Sequence, residues 1–281
     1  MNRIVLIMLS LIAFFSALGI AEKQSNPIIY DINHGKVTDM SDVLPALKQN
    51  RIIIVGEHHS NRNHHIAQLD VIRSLKDSGV QLAVGLEMFR SDSQQALDRW
   101  VAAEVSEEEF QKIFYDNWGF SWSDYRMIFD YAKKEKIPLI GLNVPRDITR
   151  QVSQQGFESL DEAQKGKLSN ITCRVDKAYM DYIKKAFGTH AHGNLNFTYF
   201  CEAQLVWDNV MAINALEYLD RNPAAVVVVL TGTGHARKDA MPRQIRQRSE
   251  IAYTVILPEV KGIIDPETVD KNDADYIILD L

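Results

Sequence analysis

Histidine, carboxylate and amide side chains follow four apolar runs of the sequence, each at the point where the run ends. Glu57 and His59 follow the first run, Glu87 the second, Asn143 the third and His235 the fourth. Imidazole and carboxylate groups together can bind a divalent metal ion, or act as a general base and the partner that orients it. The pattern therefore predicts a polar site built from separate strands, although the ordinary polarity of loops would give the same spacing.

Two kinds of chemistry fit these groups. The catalytic candidates of a hydrolase are Glu57, His59, Glu87 and His235. The candidate ligands of a divalent metal ion are His59, His64, His65, His235, Glu57 and Glu87. His65 lies one helical turn before Leu69 on a core-facing stripe, so it also fits a packed core histidine, and His64 also fits a simply exposed one.

Aromatic residues are concentrated in a second segment, with seven between positions 110 and 125. Trp118, Phe120 and Trp122 alternate around a glycine, which is unusual for a helix. An aromatic loop above the polar site would suit a flat hydrophobic ligand or a partner surface. A small satellite core under neighbouring helices explains the segment equally well.

A third feature is His190-Ala191-His192, which lies in a glycine-flanked loop. Such a pair can ligate a metal, and exposed loop polarity is the alternative interpretation. The glycines of Gly232-Thr233-Gly234 do not form a dinucleotide-binding fingerprint, because Arg237 occupies the third glycine position. They are better explained as a sharp turn that presents His235.

The elements that must position these residues alternate between strand and helix. Continuous apolar runs predict buried strands at 51–55, 81–88, 137–142, 224–230, 251–257 and 276–279. Helical periodicity predicts helices at 62–77, 92–103, 106–115, 123–136, 146–155, 158–187, 198–220 and 240–248. This order predicts an α/β fold with a mostly parallel central sheet, helices on both faces and an inserted helical cap or subdomain at about 158–220. In such a sheet, the carboxyl ends of the strands share one edge, where ligands bind.

Composition describes an ordinary globular chain. Its 281 residues are 46% hydrophobic and 24% charged, with a formal net charge of -6. These values are atypical of a disordered chain, a coiled coil or a disulfide scaffold. They also argue against nucleic acid as a partner, since that role requires a basic face.

The amino-terminal sequence is typical of a secretory signal. Arg3 precedes an apolar run from Ile4 to Leu18, and small residues follow at Gly19 and Ala21. We therefore predict a signal peptide at 1–21, with an uncleaved membrane anchor as the alternative, and a single domain at 22–281. In an exported protein, Cys173 and Cys201 either pair or remain separate buried thiols.

Taken in order, the motifs resemble the ChaN-like haem-binding uptake proteins of the Tiki superfamily. The matching segments are Gly56 to His65 with Gln68, Glu87-Met88-Phe89, Trp118 to Trp122 with Tyr125, Leu142 to Arg146, Ala203-Gln204, Trp207-Asp208, Met211-Ala212, Gly232 to His235 and Asp275-Tyr276. They span nearly the whole chain after the predicted signal. The two Gly-x-x-His motifs and the intervening Glu87 are similar to the marks of the wider superfamily, some branches of which are metal-dependent proteases or esterases.

The resemblance implies an exported protein of haem and iron acquisition that encloses a pair of haems between two subunits. It further implies a location in the periplasm or at the outer membrane, although the N-terminal cysteine of lipoprotein members is lacking. The residues that suit haem are Tyr115, His190 or His192 for the iron, Trp118 and Trp122 for the ring, and Arg62 and Arg126 for the propionates. His34 has no assigned role.

The sequence thus predicts a haem-binding protein, with a homodimer and an outer-membrane haem receptor as expected partners. The first alternative is a metal-dependent hydrolase of an ester or amide that uses the histidine and glutamate residues at the strand ends. The second alternative is a non-catalytic protein whose aromatic loop docks onto an outer-membrane receptor.

Overall fold

A computed structural model describes residues 26–168, 171, 173–187 and 196–281 of the chain. Eight strands of these residues form one sheet. They are β1 (Ile28–Asp31), β2 (Lys36–Asp39), β3 (Ile52–Glu57), β4 (Leu82–Arg90), β5 (Leu139–Asn143), β6 (Val226–Gly232), β7 (Tyr253–Pro258) and β8 (Tyr276–Ile278). Their order across the sheet is β2-β1-β8-β7-β3-β6-β4-β5.

The predicted fold class is confirmed. From β8 to β5 the neighbouring strands are parallel, and only β1 pairs in the antiparallel sense, with β2 on one side and β8 on the other. The sequence analysis did not predict the β1-β2 hairpin. Each of its strands is four residues long, which is too short for a periodic signal to stand out.

Eleven α-helices of the described residues surround this sheet. They are α1 (Met40–Leu47), α2 (Arg62–Asp77), α3 (Gln94–Val101), α4 (Glu107–Asn117), α5 (Trp122–Glu135), α6 (Arg146–Gln155), α7 (Glu162–Gly166), α8 (Lys177–Phe187), α9 (Phe197–Arg221), α10 (Thr233–Ala236) and α11 (Met241–Arg246). Side-chain caps begin several of them: Asn61 accepts from the Asn63 amide before α2, and Ser106 from the Glu109 amide before α4.

The prediction of one helical stretch over 158–187 is wrong. Within the described residues, α7 ends at Gly166 and α8 begins only at Lys177. The intervening sequence contains Ser, Asn, Thr and Val, which have lower helix propensity than Ala, Leu, Met or Lys. The helical segment is therefore interrupted before α9.

The two faces of the sheet carry separate cores, as expected for strands buried on both sides. Ile53 and Val55 of β3 pack with α1 to α5, whereas Ile52 and Ile54 pack with α9 and α11. Most of the aromatic segment belongs to the first core; for example, the rings of Trp100 and Phe110 stack with centroids 4.3 Å apart. In the described part of the chain, no helix is long and apolar enough to cross a membrane.

The two cysteines are both free thiols in this structure. Cys201 is buried, and Cys173 donates from Sγ to the backbone oxygen of Glu202 at 3.6 Å. Both pack into one small cluster with Tyr179 and Ile183. They therefore match the alternative of separate thiols.

Candidate functional site

Polar residues of three strands meet around the carboxyl end of β6, which lies between β3 and β4. Glu57 is the last residue of β3 and pairs in register with Gly232 of β6. Glu87 belongs to β4 on the other side of β6, and His235 follows β6 within α10. Glu57, Glu87 and His235 are all buried. The prediction that parallel strands bring these groups to one edge agrees with this placement.

Glu57 is the centre of the first group of contacts, which we call the Glu57 cluster: Glu57, His59, His65 and Tyr125. Its Oε1 accepts from Nδ1 of His59 at 2.8 Å and from the hydroxyl of Tyr125 at 2.5 Å. Its Oε2 lies 3.3 Å from Nε2 of His65. Glu57 and His59 come from the end of β3 and the loop after it, whereas His65 lies on α2 and Tyr125 on α5. The cluster therefore connects β3, α2 and α5.

The electrostatics of this cluster keep Glu57 ionised. Burial alone would raise its pKa, but the hydrogen bond from His59 and the nearby imidazole of His65 outweigh burial and hold the pKa at about 2. Burial likewise disfavours the charged form of His59, yet the hydrogen bond to Glu57 and the charge of Glu87 raise its pKa. His59 is therefore an oriented imidazole beside a permanent carboxylate.

Glu87 is fixed by backbone and hydroxyl donors rather than by imidazole alone. Its Oε2 accepts from the hydroxyl of Thr231 at 2.5 Å and from the amide of Gly232 at 2.6 Å. Its Oε1 lies 3.9 Å from Nε2 of His235. The side-chain amide of Asn143 donates to the backbone oxygen of Glu87 at 2.7 Å, so Asn143 supports this strand end and does not present its amide to a ligand.

His235 lies in the second group of contacts, which we call the His235 cluster: His235, Asp208 and Tyr179. Nδ1 of His235 donates to Asp208 at 2.7 Å, and the Tyr179 hydroxyl donates to the other oxygen of Asp208 at 2.6 Å. Burial opposes a charged imidazole, but the carboxylates of Asp208 and Glu87 raise the pKa of His235 to about 9. The protonated form of His235 is therefore favoured at neutral pH.

Gly232, the glycine of the second Gly-x-x-His motif, packs against His59, the histidine of the first. A Cβ atom at this position would lie 2.8 Å from Cε1 and 3.0 Å from Nε2 of His59. Real side chains do not approach so closely. The glycine of the second motif therefore leaves the space that the histidine of the first motif occupies.

His64 and His65 are both buried on α2, which rules out the exposed interpretation of His64. Nδ1 of His64 accepts from the amide of His58 at 2.9 Å. Burial lowers the pKa of His64 to about 4, so it is neutral at pH 7. The ring of His65 packs 4.0 Å from the ring of Tyr125.

The predicted metal ligands lie close together but are not arranged around a point that a metal ion could occupy. Among the residues that the structure describes, no group of three or more His, Cys, Asp or Glu side chains is arranged to hold a metal ion. His59 and His65 are directed at Glu57, and His235 is directed at Asp208. Since these nitrogens already face carboxylates of the protein, the arrangement favours ion pairing within the site.

Beside the Glu57 cluster lies an aromatic surface, which we call the aromatic face: Tyr115, Trp118 and Phe120. Tyr115 is 48% exposed and Phe120 is 37% exposed. The rings of Trp118 and Phe120 each lie 5.0 Å from the ring of His59 and 5.4 Å from each other. Exposed aromatic area of this kind is apolar surface that a ligand or partner could cover.

The remaining predicted haem contacts lie in different surroundings. Trp122 is buried in the core between Trp100 and Phe114. Arg126 is exposed and makes ion pairs with Glu107 at 2.7 Å and Asp130 at 3.1 Å. Arg62 is exposed at the first position of α2. His190 and His192 lie outside the described residues.

Tyr125 and Asp208 belong to the motifs that resemble the family, but no role at the site was predicted for them or for Tyr179. Asp208 had a detectable signal, since it is a carboxylate in the apolar stretch of α9 between Leu205 and Met211. Such a residue is seldom buried without a partner. The partner itself, 27 positions away in the sequence, could not be identified before the fold was known.

Comparison with protein families gives one match over most of the chain. The family described as haem-binding uptake, Tiki superfamily, ChaN matches residues 43–245. No curated protein matches the sequence.

Several solved structures share the fold. ChaN of Campylobacter jejuni, described with cofacially bound haem, superposes with a TM-score of 0.69 at 21% identity and covers 90% of this chain and 96% of its own. An erythromycin esterase in its open conformation gives 0.50 at 15% identity, with 78% and 72% covered. A succinoglycan biosynthesis protein gives 0.50 at 12% identity, with 79% and 69% covered. At these identities the similarity shows the fold alone.

Proposed function

The chain belongs to the ChaN family of haem-binding uptake proteins in the Tiki superfamily, and we propose that it binds haem on its aromatic face. The observation that carries this proposal is the exposure of Tyr115 and Phe120 beside the partly buried Trp118. Neighbouring aromatic rings, such as those of Phe114 and Trp122, are buried in the core. Haem is flat and largely apolar. If it covered the rings of Tyr115 and Phe120, apolar surface of the haem and of the protein would be removed from water.

The side chains around the aromatic face fit the other needs of haem. When bound, ferric haem supplies an iron atom that a tyrosine or histidine can ligate. The hydroxyl of Tyr115 accepts from the amide of Trp122 at 3.3 Å, which fixes the position of that oxygen. Tyr115 is therefore our first candidate for the ligand, and His190 and His192 are the alternatives.

Two exposed arginines, Arg62 and Arg126, suit the propionates. Arg62 begins α2 shortly after His59, and Arg126 lies in the first two turns of α5. The ion pairs of Arg126 with Glu107 and Asp130 are solvent-exposed, and such pairs contribute little stability. Arg126 can therefore exchange these partners for a propionate at low cost.

We further propose a homodimer, which the resemblance to ChaN-like proteins implies. A haem that lies on the aromatic face of one subunit would have its second face in water. A second copy of the chain would cover that face of the haem. Two exposed aromatic faces brought together would also bury Tyr115 and Phe120 of both subunits. Light scattering with and without haemin measures this step directly, and dimerisation is expected to increase with haem occupancy.

Export and haem acquisition complete the proposal. The apolar run at 4–18 and the small residues after it support a secretory signal. An exported haem binder would serve iron acquisition in the periplasm or at the outer membrane, with a haem receptor there as its donor or acceptor. The single domain at 22–281 would be the mature protein.

A haemin titration followed by absorbance tests haem binding. We expect a saturable shift of the Soret band for the wild-type protein. Tyr115→Phe removes the ligand oxygen but keeps the ring, so it should weaken binding at least about tenfold, or about 1.4 kcal/mol. Tyr218→Phe, at a half-buried tyrosine of α9, is the matched control and should bind as the wild type does.

Two results of this titration would be decisive. If Tyr115→Phe binds normally and the His190→Ala/His192→Ala double variant does not, the ligand is the histidine pair. If the wild-type protein gives no saturable spectrum, the haem proposal fails.

Hydrolysis of an ester or amide is a second candidate function, favoured by the accessibility of His59. Its side chain is 28% exposed, and its Nδ1 is bound to Glu57. This bond leaves Nε2 of the neutral imidazole as the acceptor of a proton from water. The cationic His235 on the far side of Glu87 would stabilise negative charge that develops on the substrate.

An ester panel tests this second function. His59→Ala and His235→Ala should each lower turnover about 100-fold or more, and His34→Ala, at an exposed histidine of the turn between β1 and β2, should not. Activity should rise with pH as His59 loses its proton. Loss of activity on adding a chelator would indicate the metal-dependent form. Full activity of His59→Ala would exclude this site as the source.

A further inference from the structure

A cavity of about 300 Å³ lies where α8, α9 and α11 meet. It is separate from the aromatic face, and it shares only Tyr179 with the His235 cluster. Its walls are unusually basic for an acidic chain. The charged lining residues are Arg174, Arg243, Arg248 and Asp176.

Positive charge exceeds negative charge in these walls. Asp176 is bound by Arg243 through both guanidinium nitrogens, so its charge is already neutralised. Asp239 also faces Arg243 but does not line the cavity. Arg174 and Arg248 therefore leave the cavity with an excess of positive charge.

The guanidinium of Arg248 is held in place by neutral acceptors. It donates to the side-chain oxygen of Asn209 and to the backbone and side-chain oxygens of Gln244. Burial lowers the pKa of Arg248, and this is the one cause of the change. The side chain of Arg248 is exposed, and the partners that fix its guanidinium are neutral amide oxygens, so its positive charge remains available to an anion in the cavity.

The rest of the lining supplies further donors. Because Oε1 of Gln244 accepts from Arg248, its amide nitrogen remains a donor. Gln247 adds a second side-chain amide. A rigid fork of N–H groups matches the oxygens of a carboxylate or phosphate, and arginine is the preferred residue for such recognition.

We propose that this cavity is a binding site for the oxyanion group of a small molecule, held by Arg174 and Arg248. A phosphate or a carboxylate presents the same chemistry to these residues. The cavity volume lies at the lower end of the range for small-molecule sites, so it accommodates the anionic group together with a small body. This site is independent of the proposed haem function.

Calorimetric titration of the full chain with inorganic phosphate, and separately with malonate, tests the proposal in a low-salt buffer. We expect saturable binding of at least one of the two anions. Arg174→Gln and Arg248→Gln should each weaken it at least about tenfold, because each removes hydrogen bonds between charged groups. Arg99→Gln, at an exposed arginine of α3 that pairs with Glu109, should bind as the wild type does.

The two anions distinguish the source of the oxyanion. Tighter binding of phosphate supports a phosphorylated ligand, and tighter binding of malonate supports a carboxylic acid. Arg174 and Arg248 are both exposed, and Arg174→Gln carries the test if Arg248→Gln does not fold, as judged by circular dichroism. The proposal is overturned if neither anion binds saturably, or if Arg99→Gln weakens binding as much as the cavity variants do.

Discussion

Glu57 and Glu87 are buried carboxylates stabilised by different kinds of donor. Glu57 is surrounded by imidazoles and the Tyr125 phenol, whereas Glu87 is held by the hydroxyl and backbone amide of β6. Burying an ionised group is costly unless hydrogen bonds replace its hydration. Oε2 of Glu87 and Oε1 of Glu57 meet that condition, whereas Oε2 of Glu57 is buried 3.3 Å from His65 without a hydrogen bond in the described residues. The polar site is therefore preorganised, and its geometry should change little on binding.

Gly232 provides a direct test of this preorganisation. Gly232→Ala would place a Cβ atom 2.8 Å from Cε1 of His59, so the imidazole must move away from Glu57. We expect the hydrogen bond between them to weaken and the pKa of His59 to fall. Overpacking of this kind should also cost about 1–3 kcal/mol of unfolding free energy. NMR titration of the histidine rings and urea unfolding measure the two effects.

Gly166→Ala is the matched control for this variant. A Cβ atom at Gly166 would meet nothing within 4 Å, so stability and histidine titration should both be preserved. An unchanged His59 pKa in folded Gly232→Ala would show that the ring tolerates the extra methyl group, and the interlocking of the two motifs would then be disproved.

The polar residues at strand ends were predictable because they are adjacent to strong apolar runs. Glu57, Glu87 and His235 each follow or end such a run in the sequence. Tyr125 and Asp208 were not predictable as their partners, because they lie on helices 68 and 27 positions away. Only the packing of α5 and α9 on the sheet brings them there. Pairing between distant residues is a property of the fold and leaves little trace in local sequence.

At the scale of elements, prediction succeeded where local signals were complete. Both α2 and α6 have the predicted bounds, 62–77 and 146–155. In α2, Asn61 provides a side-chain cap and the apolar residues repeat at helical spacing. The region after α7 lacked clear signals of where one helix ends and the next begins. A single long helix was therefore predicted across the break between α7 and α8.

The backbone of the edge strand β5 is hydrogen-bonded by a side chain, a feature that the sequence did not reveal. The side chain of Gln94 donates to the backbone oxygen of Leu139 at 2.7 Å and accepts from the amide of Gly141 at 3.0 Å. These two bonds take the place of a neighbouring strand. Exposed strand edges promote association with other chains. Gln94 therefore protects this end of the sheet while β1 and β2 form the other.

At the scale of the whole molecule, the shifted pKa values of His235, His64 and Glu57 make stability depend on pH. The pKa of His235 is raised to about 9 from 6.5, so its contribution is complete below pH 6.5 and is lost as pH rises through 9. The pKa of His64 is lowered to about 4 from 6.5, so stability is lost as pH falls from 6.5 to 4. Glu57, with a pKa of about 2, extends the loss to lower pH.

The unfolding free energy should therefore be highest near pH 6.5. Each group contributes a slope of up to about 1.4 kcal/mol per pH unit between its unfolded and folded pKa values. Urea unfolding at pH 5, 6.5 and 9 measures both sides of the maximum. His64→Asn retains an acceptor for the amide of His58 but cannot titrate, so it should flatten the slope between pH 4 and 6.5 while leaving the loss above 6.5 intact.

Asn63→Ala, at an exposed position of the same helix, is the control and should keep both slopes. The comparison depends on slopes because both variants change packing or surface polarity, and such changes shift stability by a similar amount at every pH. A wild-type protein that is as stable at pH 9 as at 6.5 would mean that His235 does not carry its proton in the folded state. Asp208 and Glu87 would then face a neutral imidazole, and the cationic role assigned to His235 would have to be abandoned.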